Sequence, residues 1–141
     1  MKKKFYQTSI VVLFVLTIIS CGIQKSSTAK NALIGTWQIC NSDGVVEQNL
    51  YGNKDQIRYK IISTDKFTLI DLNSRYNKVL NSFVGSYTID KNIYKEHILF
   101  TNSNFNNLLK DTYSYKYKVK DDLLTIEGIG NPYIETWKRV Q

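Results

Sequence analysis

Tyr113-Ser114-Tyr115-Lys116-Tyr117-Lys118-Val119-Lys120 alternates apolar and polar residues without a break. Successive side chains of a β-strand point to opposite faces, so Tyr113, Tyr115, Tyr117 and Val119 share one side while Ser114, Lys116, Lys118 and Lys120 share the other. The stretch reads as a half-buried strand with an aromatic inner wall and a solvated outer one. Asp121-Asp122 follows as a turn, and a second short apolar run over residues 123–128 returns beside it.

The same pattern extends in both directions and predicts eight strands: residues 33–40, 56–63, 66–72, 80–89, 93–101, 112–120, 123–128 and 133–140. Turns fall at Thr64-Asp65, at Asp90-Lys91-Asn92 and at Asp121-Asp122, and Gly128-Ile129-Gly130-Asn131-Pro132 breaks the chain before the last strand. Short strands with polar turns, and a single proline placed outside them, describe a closed all-β domain. One helical turn or two is expected around Phe105-Asn106-Asn107-Leu108-Leu109, between the fifth and sixth strands. The chain has no internal repeat and no low-complexity block.

Alternation assigns the remaining inner faces. Ile57, Tyr59 and Ile61 are expected to look inward against outward Arg58 and Lys60. Phe83, Gly85, Tyr87 and Ile89 line the fourth strand, and Tyr94, Glu96, Ile98 and Phe100 the fifth, which puts a carboxylate among aromatic rings. In the last strand Tyr133, Glu135, Trp137 and Arg139 share a face opposite Ile134, Thr136, Lys138 and Val140, and the pattern leaves open which of the two is inner.

The N-terminus has a different layout. Lys2, Lys3 and Lys4 precede an apolar run from Ile10 to Ile19 that Thr17 alone interrupts. The run falls short of the roughly 20 residues a spanning helix needs, so a cleaved export signal over residues 1–20 is the expectation. Ile18-Ile19-Ser20-Cys21 resembles a lipobox, which implies diacylglycerol on the Cys21 thiol and cleavage before it. The membrane is then a partner through that lipid, since each buried CH₂ of an acyl chain contributes about 0.8 kcal/mol and two chains anchor stably. Residues 21–32 are small and polar, as a tether would be, and 33–141 form the barrel domain. The tether lacks an acidic cluster, which favours the periplasmic face of the outer membrane over surface display.

Charge and cysteine content narrow the function classes. Without the three signal lysines, the 19 Lys and Arg fall to 16 against 12 Asp and Glu, so the formal charge drops from +7 to +4. That excess is too small to argue for nucleic acid, and export argues against it. With Cys21 carrying lipid, Cys40 is the one thiol left, and stability must come from packing rather than an intrachain disulfide.

Within the domain, Gly35-Thr36-Trp37 resembles the Gly-x-Trp motif of lipocalins. A closer resemblance is to the uncharacterised lipocalin-like domains of Bacteroidetes lipoproteins. It rests on Tyr59-Lys60-Ile61-Ile62, Lys66-Phe67-Thr68, Gly85-Ser86-Tyr87-Thr88, Tyr94-Lys95-Glu96-His97-Ile98 and Glu135-Thr136-Trp137-Lys138-Arg139-Val140, in that order. The resemblance implies an eight-stranded antiparallel up-and-down barrel that holds a ligand. It also implies that Trp37 plugs one end of the barrel and that Arg139 covers its ring.

No catalytic or cofactor motif competes with that reading, and neither a cofactor nor an enzyme is expected. His97, the single histidine, points outward beside Lys95 and Leu99 and has no metal-ligand partner at suitable spacing, so no metal site is expected. Cys40 lies on the face opposite Trp37 and has no base nearby in sequence. Glu96 and Glu135 are the one pair with acid/base potential, and such carboxylates in a small barrel are more often held by Tyr or Arg. Two functions stay open. In the first, a small hydrophobic or amphipathic ligand occupies a pocket lined by Tyr59, Phe83, Tyr87, Tyr94, Glu96, Tyr113, Tyr115, Tyr117 and Glu135, under a flap formed by residues 41–55. In the second, the aromatic side chains fill the barrel and the protein is an interaction or structural module of the envelope. Oligomeric state is not legible in the sequence.

Overall fold

A computed structural model describes residues 30–46 and 55–140 of the chain. Its eight strands are β1 (Gly35–Cys40), β2 (Gln56–Ile62), β3 (Lys66–Asn73), β4 (Lys78–Asp90), β5 (Ile93–Thr101), β6 (Thr112–Lys120), β7 (Leu123–Gly128) and β8 (Ile134–Arg139). Each pairs antiparallel with its neighbours in sequence, and β1 also pairs with β8, so the sheet closes into a barrel. Closure leaves no edge strand unpaired. Among the described residues no helix is long and apolar enough to cross a membrane.

The hairpins are tight where short polar turns interrupt the pattern. Lys91-Asn92 and Asp121-Asp122 each join two strands whose end residues pair directly, and Thr64-Asp65 is closed by the Ser63 amide donating to the Lys66 carbonyl at 2.9 Å. Lys91 (φ 56°) and Asp121 (φ 52°) take the left-handed conformation without being glycine. Between β5 and β6 the chain forms 3-10 turns over Ser103–Lys110, broken at Phe105. Ahead of β1, residues 30–33 form a helical turn, so Leu33 belongs to that turn and not to the first strand.

Residues that face each other across adjacent strands lie on the same side of the sheet, which lets one buried residue fix the phase of the whole barrel. Trp37 is fully buried and pairs with Lys60 of β2 and with Arg139 of β8. Lys60 pairs with Leu69, Leu69 with Phe83, Tyr87 with Glu96, and Glu96 with Tyr113. Tyr117 pairs with Ile126, and Ile126 with Glu135, which returns the same phase to β8. The open question about β8 is thereby answered: Glu135, Trp137 and Arg139 share the face that carries the buried Trp137.

The expected phase of β2 is corrected by this register. Arg58, Lys60 and Ile62 look inward, with Lys60 only 2% exposed, while Ile57, Tyr59 and Ile61 lie on the outer face, where Ile61 is 42% exposed. Hydrophobicity alone favours the opposite choice. The observed one is stable because each inward cation meets a carboxylate: Lys60 pairs with Glu96, and Arg58 with Asp71 and Glu135.

Phe100 is a second correction. Alternation puts it inside with Ile98, yet it is 69% exposed. Against β4, Val84 pairs with Phe100 and the next residue, Gly85, with Ile98, so Leu99 is an extra residue in β5. Such a bulge turns every side chain beyond it to the other face. Cys40 obeys its expected outward phase yet is buried, next to an isolated bridge to Val46.

Candidate functional site

The two ends of the barrel are built differently. At the end where β1 begins, Trp37 donates its indole N–H to the carbonyl of Leu33 at 2.9 Å. The Arg139 guanidinium stacks 4.1 Å from the Trp37 ring centroid and donates to the carbonyls of Ile34 (2.6 Å) and Ala32 (2.7 Å). One arginine thus holds the plug ring and ties the helical turn beneath it. Tyr87 donates to the Ser63 carbonyl at 2.7 Å in the same region, and Lys30 lies over its ring at 5.6 Å. Tyr94 packs against Tyr87, Tyr115 and Tyr117, with ring centroids 5.3 to 6.4 Å apart. This half of the barrel is full.

The other half holds a cavity of about 370 Å³. Its apolar lining includes Leu69, Phe83, Ile98, Phe105 and Leu108, and its polar lining includes Arg58, Asp71, Asn81, Glu96, Tyr113 and Glu135. Phe83 and Phe105 meet edge to face at 5.2 Å, which seats the 3-10 segment over the wall formed by β4. Arg58 and Glu135 keep 13% and 16% of their side-chain surface exposed, so the cavity communicates with solvent past them.

The polar groups form two tiers. In the deeper tier Lys60 donates to Glu96 at 2.7 Å, both being nearly cut off from solvent. The Lys60 ammonium also lies 5.2 Å from the Trp137 ring and 5.7 to 6.0 Å from the rings of Tyr94, Phe67 and Tyr115. Aromatic faces carry negative potential, so this cage stabilises the cation along with the carboxylate. Trp137 Nε1 is buried without a hydrogen-bond partner, and the Tyr94 hydroxyl lies in the field of Glu96 without a well-formed hydrogen bond. Burial, and then Glu96, holds the Tyr94 proton well above the ordinary tyrosine range. Tyr115 is raised by burial first, then by Glu96 and Glu135.

In the tier nearer the mouth, Arg58 grips Asp71 through Nε (2.6 Å) and Nη2 (2.9 Å) and donates from Nη1 to Glu135 (3.2 Å). Asn81 adds a hydrogen bond to Asp71 at 2.9 Å. The β1–β2 ladder ends at Gln38 and Tyr59, so the Arg58–Glu135 contact joins β2 to β8 beyond the reach of β1. Glu135 accepts this bond on Oε1, and its Oε2 receives none from the described residues.

Of the residues singled out in the sequence, Phe83, Glu96, Tyr113, Tyr115 and Glu135 line the cavity. Tyr87, Tyr94 and Tyr117 do not: they pack in the filled half, where the barrel narrows around the plug. Tyr59 is on the outer face because β2 has the reverse phase. Trp37 and Arg139 meet as the resemblance implied. Cys21, residues 1–29 and most of the 41–55 flap, Leu50 and Tyr51 among them, lie outside the described residues. Sequence reasoning missed Arg58, Lys60, Asp71 and Asn81. The available signal was Asp71, which alternates with Phe67 and Leu69 and needs an inward cation opposite it. Among the described residues no group of three or more His, Cys, Asp and Glu side chains is placed to hold a metal ion.

Residues 32–141 match the family described as Domain of unknown function (DUF4488). The chain belongs to that family. The match spans the whole barrel, from Ala32 beneath the plug to the last strand, and so takes in both tiers of buried charge. No match is found among curated proteins or among solved structures.

Proposed function

We propose that this DUF4488 barrel holds a small amphipathic molecule, as a lipocalin-like domain anchored in the cell envelope. The observation that carries the reading is the cavity of about 370 Å³, with apolar walls and a few convergent polar groups, above a plugged end. Pockets for small organic molecules have these dimensions and this lining. A barrel that served only as a rigid interaction module would have no need of an unfilled half. The Arg139–Trp37 stack supports the lipocalin-like assignment. The basic and apolar layout of residues 1–20 and the lipobox at Cys21 support lipid anchoring, and the tether composition supports the periplasmic side of the outer membrane.

Native mass spectrometry of the protein released from its own envelope tests the binding reading. A retained small molecule of defined mass is expected. A protein that carries none and fails to take up a hydrophobic dye into the barrel overturns it. For the anchor, Cys21→Ala is expected to abolish incorporation of labelled palmitate and leave uncleaved precursor; normal maturation of that variant contradicts the assignment.

A further inference from the structure

We infer that the molecule taken by this cavity carries a cationic nitrogen on an apolar body, and that Glu135 receives it. The inference rests on the proposed binding role and names the charge class of the ligand. The residues lining the cavity include three carboxylates, Asp71, Glu96 and Glu135, against two cations, Arg58 and Lys60.

Both cations are already engaged. Lys60 is bound to Glu96 within its aromatic cage, and Arg58 spends Nε and Nη2 on Asp71 and Nη1 on Glu135. An incoming carboxylate would enter as a fourth anion against two cations that already serve three carboxylates, and its charge would be buried without compensation. A fatty-acid-like ligand is therefore disfavoured.

The carboxylates are not equally engaged. Asp71 is fully buried and takes two bonds from Arg58 and one from Asn81, so both of its oxygens are engaged. Glu96 lies deeper in the cavity wall, nearly cut off from solvent and already bound to Lys60 at 2.7 Å. Glu96 and Glu135 each accept on Oε1, with no donor to Oε2 among the described residues; of the two, Glu135 is the more exposed, 16% against 6%, so its Oε2 is the one an incoming donor reaches first. Its surroundings suit an ammonium. Tyr113, Tyr115 and Tyr133 line the same cavity, and aromatic faces attract cations. The apolar body of the ligand then lies along Leu69, Phe83 and Ile98.

The test uses three probes with one shape and different heads: 4-phenylbutylamine, 4-phenylbutanol and 4-phenylbutyrate. Each is titrated by calorimetry into the full chain held in lipid nanodiscs, with empty nanodiscs as the blank. The amine is expected to bind at least about tenfold more tightly than the carboxylate, the scale of one hydrogen bond to a charged group. Glu135→Gln is expected to bring the amine to the affinity of the alcohol. Carboxylate binding equal to or tighter than amine binding in the unaltered chain overturns the inference whether or not the variant folds, while leaving the binding role intact. An amine preference that survives in folded Glu135→Gln overturns the role of Glu135. If none of the three binds, the binding role itself fails and the inference with it.

Discussion

Lys60 Nζ and Glu96 Oε1 lie 2.7 Å apart in the middle of the barrel, 36 positions apart in sequence, with 2% and 6% of their side chains exposed. Neither charge has enough water to stabilise it alone, so each depends on the other. Removing one partner strands the second, at a cost of about 3 to 5 kcal/mol, whereas replacing both with apolar groups is often neutral. Lys60→Met and Glu96→Leu are each expected to destabilise the fold by that amount in urea unfolding. The double variant Lys60→Met/Glu96→Leu is expected to recover most of the loss. Single losses that simply add in the double variant would contradict the pairing.

The Arg139 side chain does three things at once at the plugged end: it covers the Trp37 ring, ties two backbone carbonyls and contacts Asp122 at 3.7 Å. The Asp122 contact is exposed and adds little. The ring contact and the two charge-assisted hydrogen bonds are expected to make Arg139→Ala less stable by about 2 kcal/mol. Arg139→Lys should recover less than half of that, because an ammonium lacks the planar face and the fork that reach ring and carbonyls together. A thermal unfolding midpoint for Arg139→Ala indistinguishable from the parent protein would remove Arg139 from barrel closure.

What could be read from the sequence was whatever depends on neighbours in the chain. The bounds of β5, β6 and β7 follow from alternation ending at polar turns, and observed and expected limits coincide there. The phase of β2 depends on residues far away. Ile57-Arg58-Tyr59-Lys60-Ile61-Ile62 carries apolar residues on both faces, and the choice falls to Trp37 opposite Lys60 and to carboxylates on β3, β5 and β8. The opposite phase hides the Arg58–Asp71–Glu135 network, although the pattern of β8 does point to Glu135. Phe100 fails for another reason: a bulge inserts one residue and leaves no mark in the hydrophobic pattern.

That bulge is tied to Gly85, which pairs with Ile98 on its far side. A Cβ on Gly85 would run into the backbone oxygen of His97 and come within 2.5 Å of Phe67 Cε1 and 2.9 Å of its Cζ. Phe67 is itself buried, and the His97 oxygen is backbone, so neither can move aside easily. Gly85→Ala is expected to cost about 1 to 3 kcal/mol, the range for overpacking a filled core. Gly130 is the control, since nothing lies within 4 Å of a Cβ there, although its φ of 77° keeps some strain in any substitution. Gly85→Ala no more destabilising than Gly130→Ala would mean that the β4–β5 contact has slack.

The last expectation concerns alkaline pH. Burial, reinforced by Glu96, keeps Tyr94 and Tyr115 protonated well above the ordinary value of 10.0. In the unfolded chain the same hydroxyls ionise near that value. Below it both states hold the proton, and the stabilising contribution is complete. As pH rises past it the unfolded chain sheds protons that the folded chain retains, so stability falls until the folded values are passed. Each tyrosine held neutral contributes a slope of about 1.4 kcal/mol per pH unit. Urea unfolding followed over about pH 9 to 12 is expected to show stability level at first and then falling, with the slope shallower by one tyrosine's share in Tyr115→Phe. Tyrosinate absorbance should place the ionisation of Tyr94 and Tyr115 in the unfolding transition and not before it. Ionisation of either buried hydroxyl in a barrel that is still folded, near the ordinary value, would mean that water reaches the deeper tier and that the filled half is not closed.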